Sequence, residues 1–283
     1  MQSVERIGER FWYITPVSET DRPILGMVVG DQKALMIDAG NSEAHAEYFL
    51  AELTKRQVPR PDIVCLTHWH WDHIFGLSAL TEAVSISSKE TKQEIEKLIG
   101  LSWTDTALDE RVQEGTEIEF CSTAIKKEFS THRDIAVTLP TLSFENRIEI
   151  DLGGVTCILQ HVGGDHASDS VVIYIKEEKI LFLGDCIYAD IYAEKRNYTI
   201  EKTLQMLELL ETFDAEYYVL SHWKPISKAE FQQEAYMLRE IAKLTESCKG
   251  EKPHIIKKYR DQVKRDLNED ELEIIEEFLN GYK

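Results

Sequence analysis

Long apolar runs are absent from this 283-residue chain. No segment approaches the roughly 20 consecutive apolar residues that a membrane helix needs, which excludes a helical span. The first residues, Met1-Gln2-Ser3-Val4-Glu5-Arg6, have neither a basic n-region nor a following apolar h-region, so no secretory leader is expected. Cysteine is scarce. The five, at 65, 121, 157, 186 and 248, form no CxxC pair. Three of them sit inside or beside strand-like runs, where a reduced thiol packs as a small core residue. A cytoplasmic, reducing location fits this usage best. Basic charge is also short, at 32 Lys and Arg against 51 Asp and Glu, for a formal net charge of -19. An acidic surface repels phosphate backbones and argues against general nucleic-acid binding. Part of the acid lies in the helical stretch with Glu269, Asp270, Glu271, Glu273, Glu276 and Glu277, which reads as a solvated helix face.

The remaining composition, 43% hydrophobic and 29% charged, is that of a soluble globular protein able to bury a substantial core. Strand-like runs occur at 10–14, 24–29 and 34–38, and Ala46, Phe49, Leu50 and Leu53 mark one face of a helix over 43–56. Pro59 and Pro61 end that element before the apolar run Ile63-Val64-Cys65-Leu66. Residues from about 88 to 135 are polar and helical in character, an insertion suited to a lid or substrate wall, or to a plain structural extension. Strand character returns at 142–144, 148–150, 155–159, 171–175, 180–183 and 217–220, with helices expected at 199–210, 228–245 and 267–281. No repeat or obvious linker interrupts this alternation. Two sheets packed face to face with helices outside are the expected α/β architecture.

Against that ordinary background, Thr67-His68-Trp69-His70-Trp71-Asp72-His73 stands apart, with three imidazoles and a carboxylate in six consecutive residues after a strand. Neutral imidazole and carboxylate are the usual ligands of zinc and its borderline-soft neighbours. A chain leaving a strand end can turn such side chains towards one point, His68 and His70 to one position and Asp72 and His73 to a second. Later strands also end on suitable residues: His161 and, within Gly163-Gly164-Asp165-His166, His166; then Gly184-Asp185-Cys186; then Ser221-His222-Trp223.

Together, His68-Trp69-His70-Trp71-Asp72-His73, His166, Gly184-Asp185 and Ser221-His222 resemble the metallo-β-lactamase fold superfamily of HxHxDH metal-dependent hydrolases, over residues 10 to 225 or so. The resemblance implies a four-layer αββα sandwich of two mixed β-sheets. It implies a single domain over 1–283, with the helical insertion at about 88–135 and a C-terminal helical extension at about 227–283. It implies one metal on His68, His70 and His166, a second on Asp72, His73 and His222, and Asp185 bridging them. His166 fits the family's third histidine better than His161, which is then a supporting or structural residue. Asp38, in Ile37-Asp38-Ala39-Gly40, matches an early family aspartate that is structural or stands behind the ligands. The loop before His166 departs from the family's common Pro-Gly-His, and Ser221 replaces a frequent glycine. Asp165 and Asp169 read as solvated loop carboxylates, and Cys186 as a packed thiol rather than a nucleophile.

The implied cofactors are two divalent metal ions, zinc first, with iron or manganese as alternatives. Metal-assisted hydrolysis follows, a bridging hydroxide attacking a small ester, thioester or lactone. Asp72 would also orient the nucleophile. Tyr188, three residues after Asp185, is placed like a tyrosine of quorum-signal lactonases that contacts substrate oxygens, and its phenol could donate to a developing oxyanion. Trp69 and Trp71 are expected to pack around the metal loop. The rivals are a phosphodiesterase of the same fold, a mononuclear-iron sulfur dioxygenase and a non-catalytic metal sensor. A small-molecule substrate is the expected partner, with no nucleic acid and no membrane. Composition leaves monomer and homodimer open.

Overall fold

The structure, a computed structural model, describes residues 2–131 and 133–283. Its first sheet has seven strands in sequential order: β1 (Val4–Ile7), β2 (Phe11–Ile14), β3 (Gly26–Val29), β4 (Ala34–Ile37), β5 (Ile63–Cys65), β6 (Val84–Ser88) and β7 (Leu142–Phe144). The meander from β1 to β4 is antiparallel, and β4 to β7 are parallel. The parallel crossings carry the helices: α1 (Glu43–Thr54) between β4 and β5, the single turn α2 (Trp71–Ile74) between β5 and β6, and α3 (Lys89–Leu98), α4 (Asp105–Glu114) and α5 (Glu119–Glu128) between β6 and β7.

The second sheet holds β8 (Arg147–Asp151), β9 (Thr156–His161), β10 (Val171–Ile175), β11 (Ile180–Gly184), β12 (Tyr217–Leu220) and β13 (Pro225–Ser227), ordered β13-β12-β11-β10-β9-β8. Only β11 and β12 are parallel, joined across α6 (Ile200–Leu210). Three helices end the chain, α7 (Lys228–Ser247), α8 (Lys252–Val263) and α9 (Glu269–Gly281), where two were expected from the sequence. The middle one, α8, was missed because it buries only Ile255 and Tyr259. Capping boxes fix the starts of α7 (Ser227 with Glu230) and α9 (Asn268 with Glu271).

Burial explains the layering. Every residue of β4, β10 and β11 is buried, as continuous apolar strands covered on both faces must be. Phe11, Leu35, Ile37, Ile173, Phe182 and Val219 belong to the core between the sheets. The outer face of the first sheet packs through Met36 and Val64 on Phe49, Leu53 and Ile125. That of the second packs through Leu181 and Tyr218 on Leu207, Phe231 and Phe278. The result is the αββα sandwich of two mixed sheets. Both sheets present loops from the ends of β5, β9, β11 and β12 at one edge, where the histidines and aspartates gather. No described helix is long and apolar enough to cross a membrane.

Candidate metal centre

The loop after β5 and the turn α2 divide the first cluster between two positions. His68 and His70 lie in the loop, and Asp72 and His73 on α2, whose N-cap is His70. His68, His70 and His166 bring one ligand atom each within 4.8 Å of one another, and so do Asp72, His73, Asp185 and His222. The Asp185 Oδ2 lies between the groups, 3.1 Å from His222 Nε2, 3.3 Å from His73 Nε2, 3.5 Å from His166 Nε2 and 3.9 Å from His68 Nε2. Asp72 Oδ2 stands 3.0 Å from His73 Nε2 and 3.1 Å from His222 Nε2. Gly184 allows this approach. Its φ is +58° and a Cβ there would stand 3.0 Å from the Thr67 Cβ, so only glycine lets β11 deliver Asp185 beside His68.

The backs of the rings are held. Asp38, buried with φ +60°, accepts from the Thr67 backbone N–H at 2.7 Å and the Thr67 hydroxyl at 2.9 Å, and lies 2.8 Å from His73 Nδ1. Thr67 Oγ1 is also 3.0 Å from His68 Nδ1, and His166 Nδ1 donates to the Ala189 carbonyl at 3.2 Å. His222 Nδ1 faces Asp21 Oδ1 at 3.3 Å. These contacts direct each Nε2 into the site.

Electrostatics split the cluster as the ligand groups do. Burial, then the neighbouring His73 and His70, pushes His68 well below its ordinary pKa, and burial with His166 does the same to His70. Burial also lowers His166. Three rings are thereby kept in the neutral, metal-binding form. On the other side burial opposes charge, but Asp72, Asp38 and Asp185 outweigh it and raise His73. The same contest raises His222 and holds Asp72 and Asp185 ionised, well below the carboxylate range.

The residues fit a metal. His68 Nε2, His73 Nε2, His166 Nε2, Asp72 Oδ2 and Asp185 Oδ1 are buried without a hydrogen bond. Each such orphan costs roughly 1–3 kcal/mol unless something satisfies it. Two atoms each about 2.1 Å from one tetrahedral ion stand about 3.4 Å apart, close to the 3.1–3.5 Å separations found around Asp185 Oδ2. A mixed imidazole and carboxylate set suits zinc, iron or manganese.

His161 is outside both groups, its Nε2 2.9 Å from the Ser168 carbonyl and 3.5 Å from Glu90. Asp165 and Asp169 are not the solvated carboxylates expected. Asp165 is buried and accepts from the Thr199 N–H at 2.9 Å and hydroxyl at 2.7 Å, anchoring the start of α6. Asp169 is fully buried, neither oxygen has a hydrogen bond, and burial raises its pKa to about 7. Cys186 is buried, which pushes its thiol up and away from nucleophilic use.

The metal groups floor a cleft of about 1570 Å³. Tyr188 lies in its wall, ring centroids 6.0 Å from His166 and 6.5 Å from His222, and burial with the nearby Asp185 keeps its phenol protonated. Trp69 packs its ring 4.8 Å from His70, and Trp71 packs 5.8 Å from Phe75. The helical insertion contributes Ile118, Phe120 and Cys121 to the cleft. Its last helix is fastened down, since Arg22 donates to Glu128 at 3.1 and 2.6 Å and the Ser42 hydroxyl at 2.5 Å. Asp21 and Tyr192, whose ring lies tilted with its centroid 5.2 Å from that of His70, are cleft residues that sequence reasoning missed. Neither follows a strand end, and no spacing signal marks them.

Comparison with known proteins matches residues 22–222 to the family model described as the metallo-beta-lactamase superfamily. An acyl-coenzyme A thioesterase, MBLAC2 of Gallus gallus, is 26% identical over 191 residues, 64% of this chain and 62% of that protein. A linear primary-alkylsulfatase of Pseudomonas sp. (strain ATCC 19151) is 21% identical over 244 residues, 76% of this chain and 44% of that protein. The chain thus spans about half the length of the curated relatives it matches. A solved metallo-beta-lactamase from Pontibacter korlensis superposes with a TM-score of 0.58 at 20% identity, covering 83% of this chain and 98% of the other.

Proposed function

The chain belongs to the metallo-beta-lactamase superfamily, and from that membership we propose that it is a metal-dependent hydrolase of a carboxylic ester, thioester or lactone, working with two divalent ions, zinc first. The observation that carries the proposal is the meeting of two ligand groups at Asp185 on the floor of an open cleft. His68, His70 and His166 would hold one ion, Asp72, His73 and His222 the other, with Asp185 shared. When bound, such ions supply Lewis acidity and acidify water towards neutral pH. Asp72, ionised and beside both His73 and His222, would orient the nucleophile. Tyr188, kept protonated, would donate to the oxyanion that develops on the substrate. Five buried, unpaired thiols support a reducing, cytoplasmic setting.

Two relatives supply the competing substrates, a thioester and a sulfate ester. The experiment is a chelator titration against hydrolysis of an aryl ester, a thioester, an alkyl sulfate and a bis-aryl phosphate. Carboxylic ester or thioester cleavage that falls with metal content is the expected result. Cleavage that survives complete metal removal contradicts the proposal. Preference for the phosphate or sulfate would favour a phosphodiesterase or a sulfatase, and oxygen uptake on a persulfide would favour the iron dioxygenase.

A further inference from the structure

The cleft that opens from the metal groups has two kinds of wall. Ile118 and Phe120 from the insertion, Ile187 and Ile191 after β11, Leu220 and Met237 give it an apolar lining. Its far side is formed by α7 and α9 and is acidic. Asp270, Glu273 and Glu277 recur at helical spacing along α9, with Glu234 on α7 opposite them. The face read from sequence as solvated is therefore in part a cavity wall, with Glu271 and Glu277 buried.

The cations beside this wall are already engaged. Arg265 donates to both Glu271 oxygens at 2.8 Å, and Arg196 lies 3.0 Å from Glu277 and 3.6 Å from Glu273. No lysine lines the cleft among the described residues. Five carboxylates against two arginines leave a surplus of three negative charges on this side. Glu277 is 4% exposed and paired with Arg196, whereas Glu234, Asp270 and Glu273 are exposed to solvent along the cleft. Glu234 is held above its ordinary pKa by partial burial and then by Asp270, as like charges crowded at one cavity must be. The net charge of -19 extends the same sign over the molecule.

Resting on the hydrolase proposed above, we infer that this enzyme takes acyl esters or thioesters whose leaving group is cationic or neutral, and turns away polyanionic leaving groups such as coenzyme A. The acyl chain lies along the apolar wall, and the leaving group departs past Glu234, Asp270 and Glu273. A surplus of one sign along a cleft raises the local concentration of cations and lowers that of anions, and because these carboxylates are exposed, salt screens the effect. The sign of the wall thus separates this chain from its acyl-coenzyme A thioesterase relative.

The test is a charge ladder. Dodecanoyl thioesters of thiocholine, N-acetylcysteamine and coenzyme A share one acyl chain and one scissile bond. Metal-loaded protein is assayed for thiol release at low and high salt, and binding is followed in parallel by tryptophan fluorescence, since Trp223 is 62% exposed at the cleft. The expected order of kcat/KM and of affinity is thiocholine, then N-acetylcysteamine, then coenzyme A, spanning about tenfold or more at low salt. High salt and the double variant E234Q/E273Q should both compress the ladder. Coenzyme A bound and cleaved as well as thiocholine, or a ladder unchanged by the double variant, overturns the inference. If no thioester is cleaved, the thioester reading of the hydrolase proposal fails on its own, and the ladder of affinities still decides the charge preference.

Discussion

Replacing Asp38 by Asn tests how one buried carboxylate sets a metal ligand. Asp38 touches no substrate. Its Oδ1 accepts the Thr67 N–H at 2.7 Å, and its Oδ2 faces the Thr67 hydroxyl at 2.9 Å and His73 Nδ1 at 2.8 Å. With a carboxylate there, the proton on His73 Nδ1 is held in place, so that a metal displaces only the Nε2 proton and finds that nitrogen as its ligand. Asparagine tolerates the left-handed φ of +60° and keeps one carbonyl for the Thr67 N–H. Its amide nitrogen, however, then meets His73 Nδ1. The ring either moves its proton to Nε2, which removes the ligand, or leaves a buried donor unsatisfied at roughly 1–3 kcal/mol. Converted to an equilibrium constant, that is about 5- to 150-fold, the range expected when the support of a ligating histidine is lost. A competitive titration with a metal indicator should show the site of Asp72, His73 and His222 weakened by about 10- to 100-fold. The site of His68, His70 and His166 should hold its affinity, while the metal-free protein melts a few degrees lower because the buried carboxylate's bonds to Thr67 and His73 are weakened. Two ions bound with unaltered affinity would refute the argument.

Three further outcomes follow from the geometry. His166→Ala should lose one metal equivalent by elemental analysis while His161→Ala keeps both, since only His166 joins His68 and His70. Asp169→Asn should stabilise the protein at pH 8 and not at pH 4. The folded pKa of about 7 lies above the ordinary 3.8, so the buried carboxylate costs nothing below 3.8, and its cost grows as pH rises and is complete above about 7. At the upper limit this is roughly 4 kcal/mol, read from thermal melts at the two pH values. Glu128→Ala should destabilise by about 2–4 kcal/mol in denaturant melts, because it strands Arg22 and frees the insertion from Ser42.

Strands and ligands that carry their own chemistry were legible in the sequence. The continuous runs that became β4, β10 and β11 and the stripe of α1 announced themselves, and so did each histidine or aspartate at a strand end. Elements that depend on neighbours were not. β6 reads Val-Ser-Ile-Ser-Ser, a poor strand alone, and forms because β5 and β7 pair with its two edges. β1 exposes its two middle residues, Glu5 and Arg6, at a sheet edge, and β13 begins with proline. In the site, Asp21 reaches His222 only through the fold, from a short 3-10 turn over 18–20. The acidic face of α9 is solvated at Glu269, Asp270, Glu273 and Glu276 as expected, but Glu271 and Glu277 are buried, which a charged helix face alone does not reveal.

The central claim, two metal positions sharing Asp185, is tested most directly by anomalous X-ray diffraction at the edge of whatever metal elemental analysis identifies. Two peaks are predicted, one within reach of His68, His70 and His166, the other within reach of Asp72, His73 and His222, with the Asp185 carboxylate between them. A lone peak, or peaks away from these seven residues, would contradict the account.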